Sequence, residues 1–191
     1  MIARSLIAAA SGTLAGVAAA GFLVFGPLEI GGIAVGPWRT NAHIGASEAG
    51  PLVRAVVARR GLLALNRSET VYFTAWQDDD GDPLHENCRY AVSGRDMPAR
   101  WWSLTLYGEN DFLPVNGDDA HALTQTDLGA GEWRFVAGPS AGAGEAWLSS
   151  RNAGHFSITL RFYHPEGAVL DAPQTLDLPS IRRLGCVGGA A

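Results

Sequence analysis

The side chains best able to do chemistry in this sequence fall into a few short clusters. Gly138, Pro139, Ser140, Ala141 and Gly142 fit the G-x-S-x-G pattern, which in α/β-hydrolases sets a nucleophilic serine on a strained turn between a strand and a helix. Here Ala143, Gly144 and Glu145 lead towards another strand, and the later His155 and Asp171 come in the wrong order for the triad. A Gly-rich hairpin loop is therefore the preferred reading. Asp78, Asp79, Asp80, Gly81 and Asp82 gather hard carboxylate oxygens on a tight turn, but the glutamate that closes a calcium loop at its twelfth position is missing. Asp80 and Gly81 are read as a type I′ hairpin turn, with a weak, exposed calcium site as the lesser alternative.

The five histidines, His43, His85, His121, His155 and His164, never recur at the short spacing that would put two imidazoles on one face. No metal and no cofactor is expected. Glu109, Asp111, Asp118 and Asp119 flank one loop, as acid and base work would need, and solvated loop carboxylates are the plainer reading. The sharper signal is aromatic. Trp101, Tyr107 and Tyr163 stand in strand-like runs, and Arg161 shares its strand face with Thr159 and Tyr163. An arginine beside aromatic rings holds sugars or anions by donors and stacking. Core and edge packing is the ordinary use of such aromatics.

These residues need a frame to position them. From Thr70 onward the apolar residues recur at period two between clusters of Gly, Pro, Asp and Asn, which is a strand pattern. Val71, Phe73 and Ala75, then Cys88, Tyr90 and Val92, then Trp102, Leu104 and Leu106 each make one apolar face. Trp133, Phe135 and Ala137 make a fourth strand, Ala146 to Leu148 a short fifth, and Phe156, Ile158, Leu160 and Phe162 a long sixth. Six short antiparallel strands predict a mainly β domain, a sandwich or jelly roll. One helix precedes them. Ser47 serves as its cap, Pro51 fits its first turn, Leu52, Val53, Val56 and Val57 form a stripe, Arg59 and Arg60 suit its negative end, and Gly61 stops it. It is expected to cover an edge or face of the sheet. Ile30 to Ala34 and Pro37 to Arg39 read as connector.

Ser5 to Leu28 carries no charge over 24 residues, about 36 Å as a helix, enough to span a bilayer. Arg4 and the terminal amine precede the run and Glu29 follows it, which places the short end in the cytoplasm and the remainder outside. The rival reading is a secretory signal cut near Ala18, Ala19 and Ala20. Phe22 to Phe25 continue the apolar run past that point and favour an uncleaved anchor. An exported domain meets oxidising conditions, so Cys88 and Cys186 are expected to pair and close a loop of about 100 residues, in preference to two buried thiols. The charge balance is 14 − 19 = −5 and every one of the fourteen cations is arginine. No basic stripe is available to neutralise a phosphate backbone, so nucleic acid is not an expected partner. The 191 residues divide into an anchor (1–28), a connector with the helix (29–66) and a β-sandwich (67–191).

Three stretches resemble the bacterial family of domains of unknown function numbered 1214. They are Gly50 to Leu84 (GPLVRAVVARRGLLALNRSETVYFTAWQDDDGDPL), Arg89 to Asn116 (RYAVSGRDMPARWWSLTLYGENDFLPVN) and Glu145 to Tyr163 (EAWLSSRNAGHFSITLRFY). The most specific element is Trp102, Ser103, Leu104, Thr105, Leu106 and Tyr107 followed by Asn116, then Trp147, Leu148 and the Leu160 to Tyr163 strand. Ala146 departs from the pattern, where Asn is expected. The resemblance implies a jelly-roll-like β fold, here in a short membrane-tethered form, and it brings no established activity. Through their place in these motifs Asn116 and Trp147 join Tyr107, Arg161 and Tyr163 as ligand-binding candidates.

The chain is accordingly expected to be a single-pass protein of a bacterial inner membrane, with its amino terminus in the cytoplasm and a periplasmic domain that acts as a binding or interaction module. A carbohydrate- or lipid-like small molecule and a membrane protein are the partners considered. An envelope hydrolase or lyase working through loop carboxylates and a structural subunit of a membrane complex are the alternatives. With no convincing nucleophile, base or metal set, an enzyme is the less favoured class.

Overall fold

Strands of alternating polarity can bury their apolar sides only by facing a second such surface, and here two sheets do so. The computed structural model describes residues 2–25, 32–41, 44–46, 49–59 and 65–187. The readings that rest on Leu28, Glu29, Ile30, His43, Ser47, Arg60 and Gly61 lie outside the described residues. The strands are β1 (Gly32–Val35), β2 (Trp38–Asn41), β3 (Thr70–Ala75), β4 (Cys88–Gly94), β5 (Ala99–Tyr107), β6 (Ala122–Thr124), β7 (Trp133–Gly138), β8 (Trp147–Ser149), β9 (Ser157–Pro165) and β10 (Ser180–Cys186). The helices are α1 (Ile2–Phe25), α2 (Pro51–Arg59) and the single turns α3 (Gln125–Leu128) and α4 (Ala168–Asp171). One sheet has the order β1-β2-β3-β9-β5-β6 and the other β10-β4-β7-β8.

The core lies between them. Phe73, Trp102, Leu104, Ile158, Leu160 and Phe162 of the larger sheet share one buried cluster with Tyr90, Val92, Phe135, Ala137, Leu148 and Ile181 of the smaller. Trp102 meets Trp133 across the gap with ring centroids 5.0 Å apart, and Tyr90 meets Phe156 edge-on at 5.7 Å. Each such side chain contributes about 1.5–3 kcal/mol by leaving water, so this inner surface is the main source of stability. All six expected strands are present. The short β1, β2 and β6 escaped the sequence reading because three or four residues carry too little periodicity, and the seven-residue β10 because it alternates poorly. Strand β2 brings in Trp38, which is wholly buried and donates its indole N–H to the Pro179 carbonyl at 2.7 Å.

Three local readings need correction. Strand β8 runs parallel to β7, with Val136 opposite Trp147 and Gly138 opposite Ser149, so the Gly138 to Gly142 segment is no hairpin. Residues 139–146 instead return along β7, which eight residues with a reach of about 27 Å can do. Glu145 fixes this loop by accepting from the Gly142 N–H at 2.7 Å and pairing with Arg89 at 2.9 Å. In the Asp78 to Asp82 turn only Gly81 has a positive φ, 89°, whereas type I′ needs it at both central residues. The Asp78 carboxylate, 1% exposed, accepts from the N–H groups of Asp80 and Asp82 and is paired with Arg183 at 3.0 Å. The third correction concerns α2, which packs chiefly with α1 rather than over a sheet.

Helix α1 contains a span, Arg4–Val24, long and apolar enough to cross a membrane, and none of it is buried. Cys88 and Cys186 stand directly opposite each other on β4 and β10 and form a disulfide. Its loop has a sequence separation of 98 residues, so the link restricts the unfolded chain strongly. Replacing Cys186→Ser should lower the unfolding free energy by roughly 2 to 5 kcal/mol, measured by denaturant unfolding of oxidised protein. A loss no larger than that of an exposed surface substitution would show that the bond adds nothing to the fold.

Candidate functional site

Burying one side of β3, β9 and β5 commits the other side to the outside of the larger sheet. The pairing registers set this outer face in rows: Thr70, Tyr163 and Trp101, then Tyr72, Arg161 and Ser103, then Thr74, Thr159 and Thr105. Trp101, 36% exposed, packs on Tyr163 with centroids 5.1 Å apart, and the Thr74 and Thr159 hydroxyls are hydrogen-bonded at 3.0 Å. Arg161 occupies the middle. Its guanidinium carbon lies 5.8 Å from the Tyr72 ring centroid and 5.4 Å from that of Tyr107. One terminal nitrogen donates to Thr105 Oγ1 at 2.9 Å and the other to the Tyr107 hydroxyl. Among the described residues no carboxylate pairs with Arg161.

Chemically this is a cation whose two hydrogen-bond partners are both neutral. A guanidinium has five N–H donors in a fixed fork, so about three stay available, with the full charge, to an anion or a row of hydroxyls. The flanking rings stabilise the cation through their π faces. Small hydroxyl side chains beneath it, Ser103, Thr105 and Thr159, are buried and polar.

The other two sequence candidates stand elsewhere. Asn116 follows β5 in a loop, where its amide donates to Ser149 Oγ at 3.1 Å and to the Arg151 carbonyl at 3.0 Å, and its own oxygen accepts from the Asp118 N–H at 3.0 Å. The wholly buried Ser149 donates to Asp118 Oδ2 at 2.6 Å, and Arg151 forks onto both Asp118 oxygens. These four residues clamp the loop after β5 onto the end of β8. Trp147, on β8, donates its indole N–H to the Gly138 carbonyl at 2.8 Å. The structure thus brings together Tyr107, Arg161 and Tyr163 on one face, and neither Asn116 nor Trp147 is bonded to that group. The partners the sequence reading missed are Tyr72 and Thr105. Strand parity already turned Tyr72 outward, but the β3-β9-β5 order that sets it beside Arg161 had no local signature.

His85 and His155, seventy positions apart, meet edge-on at 5.0 Å across an isolated β-bridge. Among the described residues no three His, Cys, Asp or Glu side chains are grouped to hold a metal ion. A shallow cleft of about 510 Å³ opens on the smaller sheet between Ser93, Arg134 and Ser180 and contains none of the sequence candidates.

The clamp has a titratable member. The Ser149 hydrogen bond, with Arg151 beside it, holds the Asp118 carboxyl below its ordinary value. A depressed carboxyl stabilises the folded state above the unfolded Asp value, about 3.9, and loses that contribution as pH falls through the folded value. Asp118→Asn should therefore cost stability near neutrality, and the gap between variant and parent should close below about pH 4. Urea unfolding from pH 3 to 7 measures it; a gap independent of pH would show that the carboxylate charge plays no part.

The comparisons with known proteins bear on these same residues. The family model described as "Protein of unknown function (DUF1214)" matches residues 69–167, just over half of the chain. The crystal structure of the VPA0106 protein from Vibrio parahaemolyticus is similar with TM-score 0.58 and 20% identity, over 72% of this chain and 36% of its own, which is a likeness of fold. An uncharacterized protein from Burkholderia cenocepacia aligns with TM-score 0.46 and 11% identity, over 60% of this chain and 29% of its own. The chain thus spans about a third of the length of these solved proteins. No protein of curated function matches. The matched span runs from the start of β3 past the end of β9 and includes both the Arg161 face and the Asn116–Asp118 clamp, and by this match the chain belongs to the DUF1214 family of proteins of unknown function.

Proposed function

We propose that this protein is a membrane-anchored binding module that takes a carbohydrate- or lipid-headgroup ligand bearing an anionic group at the Arg161 face. In this reading residues 1–28 anchor the chain in a bacterial inner membrane with the amino terminus in the cytoplasm, residues 29–66 connect and lend β1 and β2 to the larger sheet, and residues 67–191 form the rest of the periplasmic binding domain. The apolar span of α1 and the Cys88–Cys186 disulfide, a bond that persists in oxidising compartments, both support the placement.

The observation that carries the reading is the unpaired charge of Arg161 between two tyrosine rings. Arg89, Arg151 and Arg183 are matched by carboxylates, and Arg39 and Arg67 donate to backbone carbonyls. Arg161 is instead oriented by Thr105 and Tyr107, which leave its charge intact. A carboxylate or phosphate would accept two parallel N–H bonds from it. Trp101 and Tyr163, next along the face, would stack on an apolar sugar face. Tyr107 belongs to the binding set with them. Asn116 and Trp147 act at a distance in this scheme, the first by holding the loop that follows Tyr107.

The full chain in detergent or nanodiscs, titrated against a panel of acidic and neutral oligosaccharides and of anionic headgroups, tests this. Arg161→Ala should weaken binding of the acidic ligands by tenfold or more, since hydrogen bonds to charged groups are worth about 1.5–3 kcal/mol, while the melting temperature falls by only a few degrees. Arg161→Lys should restore the charge and only part of the affinity. If Arg161→Ala instead unfolds the domain, the guanidinium is a structural donor and this face is no site. For the topology, a reporter that needs export, fused after Ala191, should be active; activity confined to the cytoplasm would overturn it.

A further inference from the structure

We propose that the loop between β5 and β6 is a preformed apolar prong that docks into a protein partner whose surface offers an apolar socket edged by arginine or lysine. Phe112 is 69% exposed, Leu113 48% and Val115 90%. Single exposed apolar side chains are ordinary on a protein surface, but three within four residues at the tip of one loop form a contiguous patch, the kind that marks an interaction site.

This loop is held in shape without the help of those side chains. The Gly108 N–H donates to the Phe112 carbonyl at 2.9 Å, the Asp111 N–H to the Gly108 carbonyl at 3.0 Å, and the Phe112 N–H to Asn110 Oδ1 at 3.1 Å. At its far end Asn152 donates to the Val115 carbonyl at 2.8 Å, next to the Asn116–Asp118–Ser149–Arg151 clamp. Collapse onto the domain would bury the three side chains, yet the backbone bonds hold them out. A segment already ordered loses little conformational freedom on docking, so its apolar area converts efficiently into affinity.

Charge selects the occupant. Glu109, Asp111 and Asp119 lie on the same loop and make no ion pair among the described residues, while Asp118 is already matched by Arg151. Three uncompensated carboxylates oppose approach to an anionic leaflet, where bound loops carry basic residues. They favour a basic rim around an apolar socket, as complementary interfaces require. Phe112 and Leu113, flanked along the loop by Glu109 and Asp111 on one side and Asp119 on the other, follow the pattern of interface anchors with a polar rim.

The test uses the full chain in the cells that produce it, with a photoreactive amino acid in place of Val115, whose side chain has no structural contact to lose. The expected product is a discrete protein adduct whose crosslinked peptide is apolar and flanked by Arg or Lys. Phe112→Ser should lower its yield by about tenfold, the scale expected for losing one buried aromatic anchor. Glu109→Gln, Asp111→Asn and Asp119→Asn together should lower it several-fold. Asn is chosen because Asp111 and Asp119 have positive φ, 64° and 53°, which Asn tolerates. Both variants should melt within a degree or two of the parent. Adducts with lipid alone, adducts only with a second copy of this chain, a protein adduct indifferent to the charge changes, or no adduct at all would each overturn the proposal.

Discussion

The side on which Arg161 stands is dictated by the burial of its neighbours. Ile158, Leu160 and Phe162 on β9 are wholly buried, and β9 is paired on both edges, with β3 and β5. A slip of one residue would turn all three out of the core onto the polar face and bring Thr159, Arg161 and Tyr163 into it. At about 1.5–3 kcal/mol per large apolar side chain, together with the desolvation of a guanidinium, no alternative register competes. The polar face is therefore as rigidly specified as the core, because the two are opposite sides of the same strands.

That constraint holds only while the smaller sheet closes over the inner face, and its edge strand β10 is tied in two ways. The disulfide fixes one end of it to β4. Near the other, Asp79 exchanges hydrogen bonds with Ile181, and Arg183 reaches Asp78 and Asp82. An edge strand with half its hydrogen-bonding groups free is a weak point of any sheet. Here a covalent bond and a buried carboxylate share the task of holding it, which explains why a cluster of aspartates that looks suited to a cation is occupied by the chain itself. Tyr90, whose hydroxyl burial pushes its pKa up, accepts from the His85 N–H within the same region.

The loop after β5 joins the two halves of the molecule. It begins after Tyr107, a partner of Arg161, and it is fastened through Asn116 and Asp118 to Ser149 at the end of β8 and Arg151 just beyond it. Strand β8 can supply that anchorage because it lies parallel to β7, so that its carboxyl end emerges on the side where β7 ends. An antiparallel β8 would have carried Ser149 to the opposite end of the sandwich. The return segment 139–146 is what permits it. Gly138 is needed there, since a Cβ would sit 2.9 Å from Arg89 Cγ and 3.2 Å from its Cα.

Period-two alternation in the sequence was enough to determine six strands, the inward set from Val71 to Phe162, and the outward position of Arg161 and Tyr163, because side-chain direction along a strand is a local property. The uncharged run of α1 was likewise legible, since length and apolarity alone mark a helix able to cross a membrane. The Cys88–Cys186 bond was expected from an inferred oxidising compartment and the presence of two cysteines rather than from any local pattern. Pairing between strands distant in sequence carries no such local mark. The seating of Arg161 between Tyr72 and Tyr107, the separation of Asn116 and Trp147 from it, and the parallel run of β8 were decided only when the chain closed on itself. Each depends on which strands become neighbours, and that is settled by the shape and total burial of the whole core.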